Sequence, residues 1–271
     1  MAGYIDYHVH TNNSRDSRAT MTAMCERAIT VGLSEIAVTD HFNNHPKDVD
    51  LNYYRADRYF ADIEQCRAKF PTLTIRAGIE VGEPHRWEKQ VVPILESYPY
   101  DVVLGSLHWI GDYSIFEAPF FRDHSPEKAY TLYFTELAEM IRHGGFDILA
   151  HVDVPKRNSV NYYGPFRDEE FEDLFRQVWE ACIETGIVPE INTKGIRSAA
   201  GAFHPTTTAL RWYAEMGGER LSFGSDAHQP DHLGLNFDQA HKSAFDAGLA
   251  RTVRFERRAI VGWQSLEPIP V

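Results

Sequence analysis

Histidines and carboxylates collect at the ends of short apolar runs in this chain. The first run, YIDYHVH, ends in His8 and His10. The run IAVTDH ends in Asp40 and His41, and TIRAGIE ends in Glu80. VVLGSLH ends in His108, FDILAHVD in His151 and Asp153, and LSFGSDAH in Asp226 and His228. One run differs: VPEINTKGIR ends in Asn192, Lys194 and Arg197. Side chains alternate between the two faces of a strand, so Asp6, His8 and His10 are expected on one face and Ile5, Tyr7 and Val9 on the other. Histidines and carboxylates brought to one place repel or stay unpaired unless something cationic joins them. A cluster of divalent metals is the simple physical answer.

The elements that position these residues follow from periodicity. Strands are expected at 4–9, 35–39, 74–80, 101–107, 147–151, 187–192 and 221–225, with a further one at 252–256. Between them run helical stripes. One is Met21, Met24, Cys25, Ala28 and Ile29, stopping near Gly32; another is Ala129, Leu132, Tyr133, Leu137, Met140 and Ile141, stopping at Gly144. A third is Phe171, Leu174, Phe175, Val178, Trp179, Cys182 and Ile183, stopping at Gly186. Glycine after a periodic stripe is a helix stop. Repeated βα units with no linker point to one closed parallel barrel or one open doubly wound sheet. In a parallel barrel the functional groups converge at the C-terminal mouth of the strands. No GxGxxG follows the first strand, so a dinucleotide fold has little support.

Composition sets outer bounds. The 271 residues are 43% hydrophobic and 24% charged, enough to bury a core. A net charge of −12 opposes a nucleic-acid surface. Cys25, Cys66 and Cys182 form no CxxC pair and read as small buried hydrophobes. Any metal must therefore be held by His, Asp and Glu. No apolar leader core and no run of membrane-spanning length is present, so a reducing cytoplasm is the expected setting. The other histidines (His45, His85, His124, His143, His204, His232, His241) read as loop or surface groups, with His204 and His232 the two candidates for lining a pocket.

Taken in order, HxH, TDH, a strand-end Glu, SLH, AHxD and GSDAH resemble the PHP (polymerase and histidinol phosphatase) family from about residue 4 to about residue 240. HVDVPKR and NTKGIR are similar in particular to its stand-alone histidinol-phosphatase branch. The resemblance implies one domain over 1–271, an α/β fold, and a distorted, TIM-like barrel of seven βα units with its metal site at the C-terminal mouth. It implies three divalent ions, Zn, Mn or Fe. One would be held by His8, His10, Glu80 and Asp226, and a second by Glu80, His108 and His151. The third would be held by Asp16, His41 and His228. The family fills position 16 with either His or Asp.

The chemistry so implied is hydrolysis of a small phosphate monoester, first of all L-histidinol phosphate, by hydroxide held between metals. His41 or Asp40 would help protonate the leaving alkoxide. Lys156, Arg157, Lys194 and Arg197 would face the phosphate, Arg197 foremost because its planar fork matches phosphate oxygens. Asp6, Asp40 and Asp153 are expected behind the ligands, orienting imidazoles. Glu83, Glu117, Trp87, Trp109, Tyr162 and Tyr163 are available to recognise an amine and an imidazole. A phosphoesterase acting on nucleotides or other small esters is the alternative, and a non-catalytic metal-stabilised scaffold the second. The sequence leaves the oligomeric state open.

Overall fold

The computed structural model describes residues 3–266. In chain order the strands are β1 (Ile5–Val9), β2 (Glu35–Val38), β3 (His41–Phe42), β4 (Thr74–Gly82), β5 (Val102–Ser106), β6 (Trp109–Ile110), β7 (Tyr113–Ser114), β8 (Ile148–Leu149), β9 (Val188–Asn192), β10 (Ser222–Gly224), β11 (Arg251–Glu256) and β12 (Ala259–Ser265). Seven of them form a parallel sheet in the order β1-β2-β4-β5-β8-β9-β10. A parallel bridge between Val9 and Ala227, with the His10 N–H donating to the Ala227 carbonyl at 2.9 Å, brings the last strand back to the first. The result is a nearly closed, distorted (β/α)7 barrel.

The helices follow the expected stripes. In α1 (Met21–Val31), Thr20 accepts from the Ala23 N–H as N-cap and Gly32 takes the left-handed cap at φ 80°; Met21, Met24, Cys25 and Ala28 face inward. α2 (Ala56–Lys69), α3 (Glu88–Ser97) and α4 (Ala118–Arg122) follow. In α5 (Pro126–His143), Ser125 is the N-cap and proline opens the first turn, where its missing N–H costs nothing. It buries Tyr130, Tyr133, Phe134 and Leu137. α6 (Lys156–Tyr163) lies just beyond β8. α7 (Glu172–Thr185) buries Phe175, Val178, Trp179 and Cys182 and ends at Gly186 in the left-handed region. α8 (Thr207–Glu215) and α9 (Phe237–Asp246) complete the outer layer. Cys25, Cys66 and Cys182 are buried free thiols.

Two apolar cores result. The larger lies between strands and helices. The smaller fills the N-terminal end of the barrel with Ile5, Tyr7, Ala37, Val102, Leu104, Ile148 and Val188, closed by Val253 and Phe255. The expected strand at 252–256 is therefore real but lies outside the barrel. It is one arm of the antiparallel β11–β12 hairpin, a plug under the strand starts. The Tyr7 hydroxyl accepts from the Phe255 N–H at 2.9 Å, and Glu35 pairs with Arg254 from the hairpin.

The first strand departs from simple alternation. Asp6 pairs with Ile36 but Val9 pairs with Val38, so β1 carries one extra residue, a bulge. Parity resets across it. Ile5 and Tyr7 join the inner core, Val9 packs in the outer one, and His8 and His10 still reach the mouth. The expected grouping of Asp6 with the histidines and of Tyr7 with Val9 is corrected accordingly.

Candidate metal centre and its two cavities

Each strand end delivers its polar residue to one place. β4 is the longest barrel strand, and Glu80 near its end is fully buried. Its Oε2 lies 2.8 Å from His41 Nδ1, 3.4 Å from His8 Nε2 and 3.5 Å from His10 Nε2. Its Oε1 lies 3.0 Å from His151 Nε2 and 3.5 Å from His108 Nε2. One carboxylate thus stands among five imidazoles. Asp226 Oδ1 lies 3.5 Å from His10 Nε2 and 3.3 Å from His228 Nδ1. Asp16, half-exposed, meets His228 Nε2 at 2.8 Å and His41 Nε2 at 3.7 Å.

These residues fit bound metal. His8 Nε2, His10 Nε2, His41 Nδ1, Glu80 Oε2 and His228 Nε2 are buried and make no well-aligned hydrogen bond, even where, as for His41 and His228, a carboxylate oxygen lies 2.8 Å away; buried polar atoms are rarely left so. Three donor groups have their ligand atoms within 4.8 Å of one another: His8–Glu80–His151, His8–His10–Asp226 and His10–His41–His228. Ligand bonds of roughly 2.0–2.2 Å in tetrahedral array put neighbouring donors roughly 3.3–3.6 Å apart, as in the longer spacings above. The donors are all nitrogen and oxygen, a set suited to divalent ions such as zinc.

The electrostatics agree. Burial pushes the Glu80 carboxyl up, but His41, His8, His108 and His151 more than offset it and hold it well below the usual range. Burial, with His228 and His41 alongside, holds His10 well below the usual imidazole value, so its lone pair is free. His8 and His41 are raised despite burial, His8 by Glu190, Glu80 and Asp226 and His41 chiefly by Glu80 and Asp16. Protons there are what a metal would replace.

Behind the ligands stands a residue the sequence reading missed. Glu190, in the middle of β9, accepts from His8 Nδ1 at 2.8 Å and from the His151 N–H at 2.7 Å. The first contact fixes the His8 tautomer and leaves Nε2 bare. The second pins a backbone at φ 26°, a left-handed value that a non-glycine residue adopts at a cost of about 1 kcal/mol or more. Asp226 is likewise left-handed at φ 49°. Gly224 must be glycine, because a Cβ there would stand 1.9 Å from Glu190 Oε1 and 2.4 Å from His8 Cβ. A charged residue inside an apolar strand, VPEIN, was the available signal.

Other expected residues are placed differently. Asp40 is fully buried and does not line the cavities. It accepts from the Thr11 N–H and hydroxyl and from Ser14, whose oxygen lies 3.2 Å from His10 Nδ1. It braces His10 through Ser14. Asp6 holds backbone, accepting from the Ser225 and Gly234 N–H groups. Asp153 orients no ligand histidine; it pairs with His204 Nδ1 at 2.8 Å and Lys156 Nζ at 2.5 Å. Lys156 is therefore not on the rim. It is buried, its ammonium also donating to the Phe203 carbonyl. Pro155 is the N-cap of α6, and Lys156, the first residue of that helix, turns inward.

Two cavities flank the centre, and Asp16, Arg157, Lys194 and Asp226 border both. The smaller, about 350 Å³, is lined by Glu80, His41, His108 and His151 and extends to Asp48, Asp50, Trp109, Phe116 and Glu117. The larger, about 820 Å³, holds Arg18, Arg197, His228 and His232. Lys194 Nζ lies 2.8 Å from Asp226. Arg197, expected foremost at the phosphate, lines the larger cavity and not the smaller one that holds Glu80, His41, His108 and His151; it donates to the Ser225 carbonyl at 2.9 Å. Of the residues considered for amine and imidazole recognition, Glu117 and Trp109 line the smaller cavity. Glu83 is spent on the His108 and Trp109 N–H groups. Tyr163 packs against Phe121, and Tyr162 stacks on it.

Comparison with known proteins agrees with this geometry. A Clostridium acetobutylicum protein named "Probable histidinol-phosphatase" is 30% identical over 93% of this chain and 97% of its own length. The Lactococcus lactis histidinol-phosphatase is 24% identical over 93% of this chain and 94% of its own. The crystal structure of histidinol phosphate phosphatase from that organism, complexed with zinc, L-histidinol and phosphate, superposes with a TM-score of 0.89. It covers 97% of this chain and 100% of the other at 23% identity, and so shares the fold. The family pattern described as PHP domain matches residues 6–194, most of the barrel, and the chain belongs to the PHP family.

Proposed function

We propose that the chain is a metal-dependent phosphatase that converts L-histidinol phosphate to L-histidinol and phosphate, a step of histidine biosynthesis. The observation that carries this reading is Glu80, one buried carboxylate on which five histidine nitrogens converge within 3.5 Å. Relatives over nearly the whole length bear the histidinol-phosphatase name. Three ions, zinc, manganese or iron, would be held by His8, His10, Glu80 and Asp226; by Glu80, His108 and His151; and by Asp16, His41 and His228. Bound metal supplies an activated water and neutralises charge on the phosphoryl oxygens.

The chain's own residues do the rest. Arg157 and Lys194 border both cavities and meet the phosphoryl charge where the cavities join. The smaller cavity suits the leaving group. Asp48, Asp50 and Glu117 offset a cationic amine, and Trp109 and Phe116 give flat surfaces to an imidazole. Of the two groups expected to protonate the leaving alkoxide, His41 faces the cavity and Asp40 stays behind Ser14. The protein acts as one domain on a small molecule in the cytoplasm, where its three free thiols stay reduced.

The test is phosphate release by metal-loaded protein from L-histidinol phosphate beside AMP, a sugar phosphate and an aryl phosphate. The expected kcat/KM for histidinol phosphate is about 10⁴ M⁻¹s⁻¹ or more and well above the others. A flat, slow profile across the panel would discard histidinol phosphate as the substrate.

A further inference from the structure

Beyond Arg157 and Lys194, which it shares with the smaller cavity, the larger cavity has cationic groups that the histidinol reading does not use: Arg18, Arg197 and His232. Its wall carries Arg18, Arg157, Lys194, Arg197 and His232. Its carboxylates, Asp16 and Asp226, are both turned to the histidine cluster. Elsewhere on this acidic protein some arginines are matched, as Arg67 with Asp101, Arg76 with Glu35, Arg86 with Glu136 and Arg258 with Asp147, and others stand singly; what sets this wall apart is that its unmatched arginines share one concavity. Among the described residues, Arg18, Arg157 and Arg197 have no carboxylate within ion-pair distance. Arg197 Nη1 is a buried atom with no hydrogen-bond partner at all. Unmatched guanidinium groups sharing one concave wall raise a local positive potential. A leaving group bearing an ammonium is repelled from that wall and drawn to the acidic, aromatic cavity. An anionic one is drawn to it.

We propose that this wall is a second anion subsite, and that the same centre also hydrolyses phosphate monoesters whose alcohol part bears a second anionic group, a carboxylate or another phosphate. The inference rests on the phosphatase reading of the centre but not on histidinol as its substrate. The reaction is the same. Water adds oxygen to phosphorus, the phosphorus–alkoxide bond breaks, and the alkoxide takes up the proton that water gives up. Arg18 and Arg197 hold the second anion and touch none of the reacting atoms.

Matched pairs isolate the second charge. Glycerol 3-phosphate and 3-phosphoglycerate differ at one carbon, as do the non-hydrolysable propylphosphonate and 3-phosphonopropionate. For the metal-loaded wild type, kcat/KM is expected to favour 3-phosphoglycerate by about tenfold. Calorimetry is expected to show 3-phosphonopropionate binding more tightly than propylphosphonate by a similar factor. Arg18→Gln removes an exposed cation at the cavity edge. It should bring both ratios down severalfold and leave histidinol phosphate turnover unchanged. Arg197→Gln should also lower both ratios. Wild-type ratios near or below one overturn the proposal, and so do ratios that survive both substitutions. Failure of the wild type on histidinol phosphate, with 3-phosphoglycerate still hydrolysed, would count against the histidinol assignment and leave the subsite standing.

Discussion

Replacing Glu190 with glutamine keeps the shape of the side chain and removes its charge. In the native protein Glu190 takes two hydrogen bonds that matter to the centre, from His8 Nδ1 at 2.8 Å and from the His151 N–H at 2.7 Å. Hydrogen bonds to a charged acceptor are worth about 1 kcal/mol more than neutral ones. Two such bonds weakened give about 2 kcal/mol, and at roughly 1.4 kcal/mol per tenfold that is about thirtyfold in metal affinity. This lies inside the roughly 10–100-fold span seen when outer partners of metal-bound histidines are changed. Glutamine can also turn its amide toward His8 Nδ1 and favour the tautomer with the proton on Nε2, which blocks the ligand atom. The assay is competition for zinc against a chromophoric chelator, with turnover measured at rising metal. The expected result is weaker binding and activity that excess metal largely restores. Unchanged affinity in a folded Glu190→Gln protein would refute the reasoning. Loss of a whole metal equivalent at saturation would make Glu190 a ligand itself.

Lys156→Met leaves Asp153 buried without its ammonium partner, so unfolding free energy should fall by about 3 kcal/mol in urea titration, and phosphate-ester KM should change little. Arg157→Ala should raise KM for histidinol phosphate several-fold at unchanged metal content, read by steady-state kinetics with metal analysis. His241 is buried against Phe223 and Tyr4, and burial lowers its pKa from 6.5 to about 4. The unfolded chain therefore takes up this proton first as pH falls. The stability concerned is full above about pH 6.5 and is lost as pH falls toward about 4, reaching about 2 kcal/mol at pH 5. His241→Phe should flatten the difference in unfolding free energy between pH 7 and pH 5 by that amount relative to wild type.

The clustering of the candidate ligands was legible because each sits at the end of a recognisable apolar run, and parallel barrels bring such ends together. His8, Glu80, His151 and Asp226 could be grouped from strand ends alone. The bulge in β1 could not, since one extra residue leaves no trace in the alternation of IDYHV. Lys156 misled for a related reason. HVDVPKR puts Lys156 and Arg157 side by side, but the helix begun at Pro155 sends one inward to Asp153 and the other to the cavity. Asp40 was seen as polar and near; that Thr11 and Ser14 would fill its acceptor positions depends on a loop whose path only the fold fixes. The β11–β12 hairpin was half visible, because β12 alternates exposed and half-exposed residues and shows little apolar signal.

Glu80 is the most direct point at which to test the centre. Metal equivalents per chain should be measured for wild type and Glu80→Gln, with phosphate release from histidinol phosphate on the same samples. The wild type should hold about three equivalents, and Glu80→Gln should lose the two ions that Glu80 would help to hold under the proposed assignment, together with about 10³-fold or more of turnover. Full metal content with normal turnover in Glu80→Gln would contradict a centre built around this carboxylate.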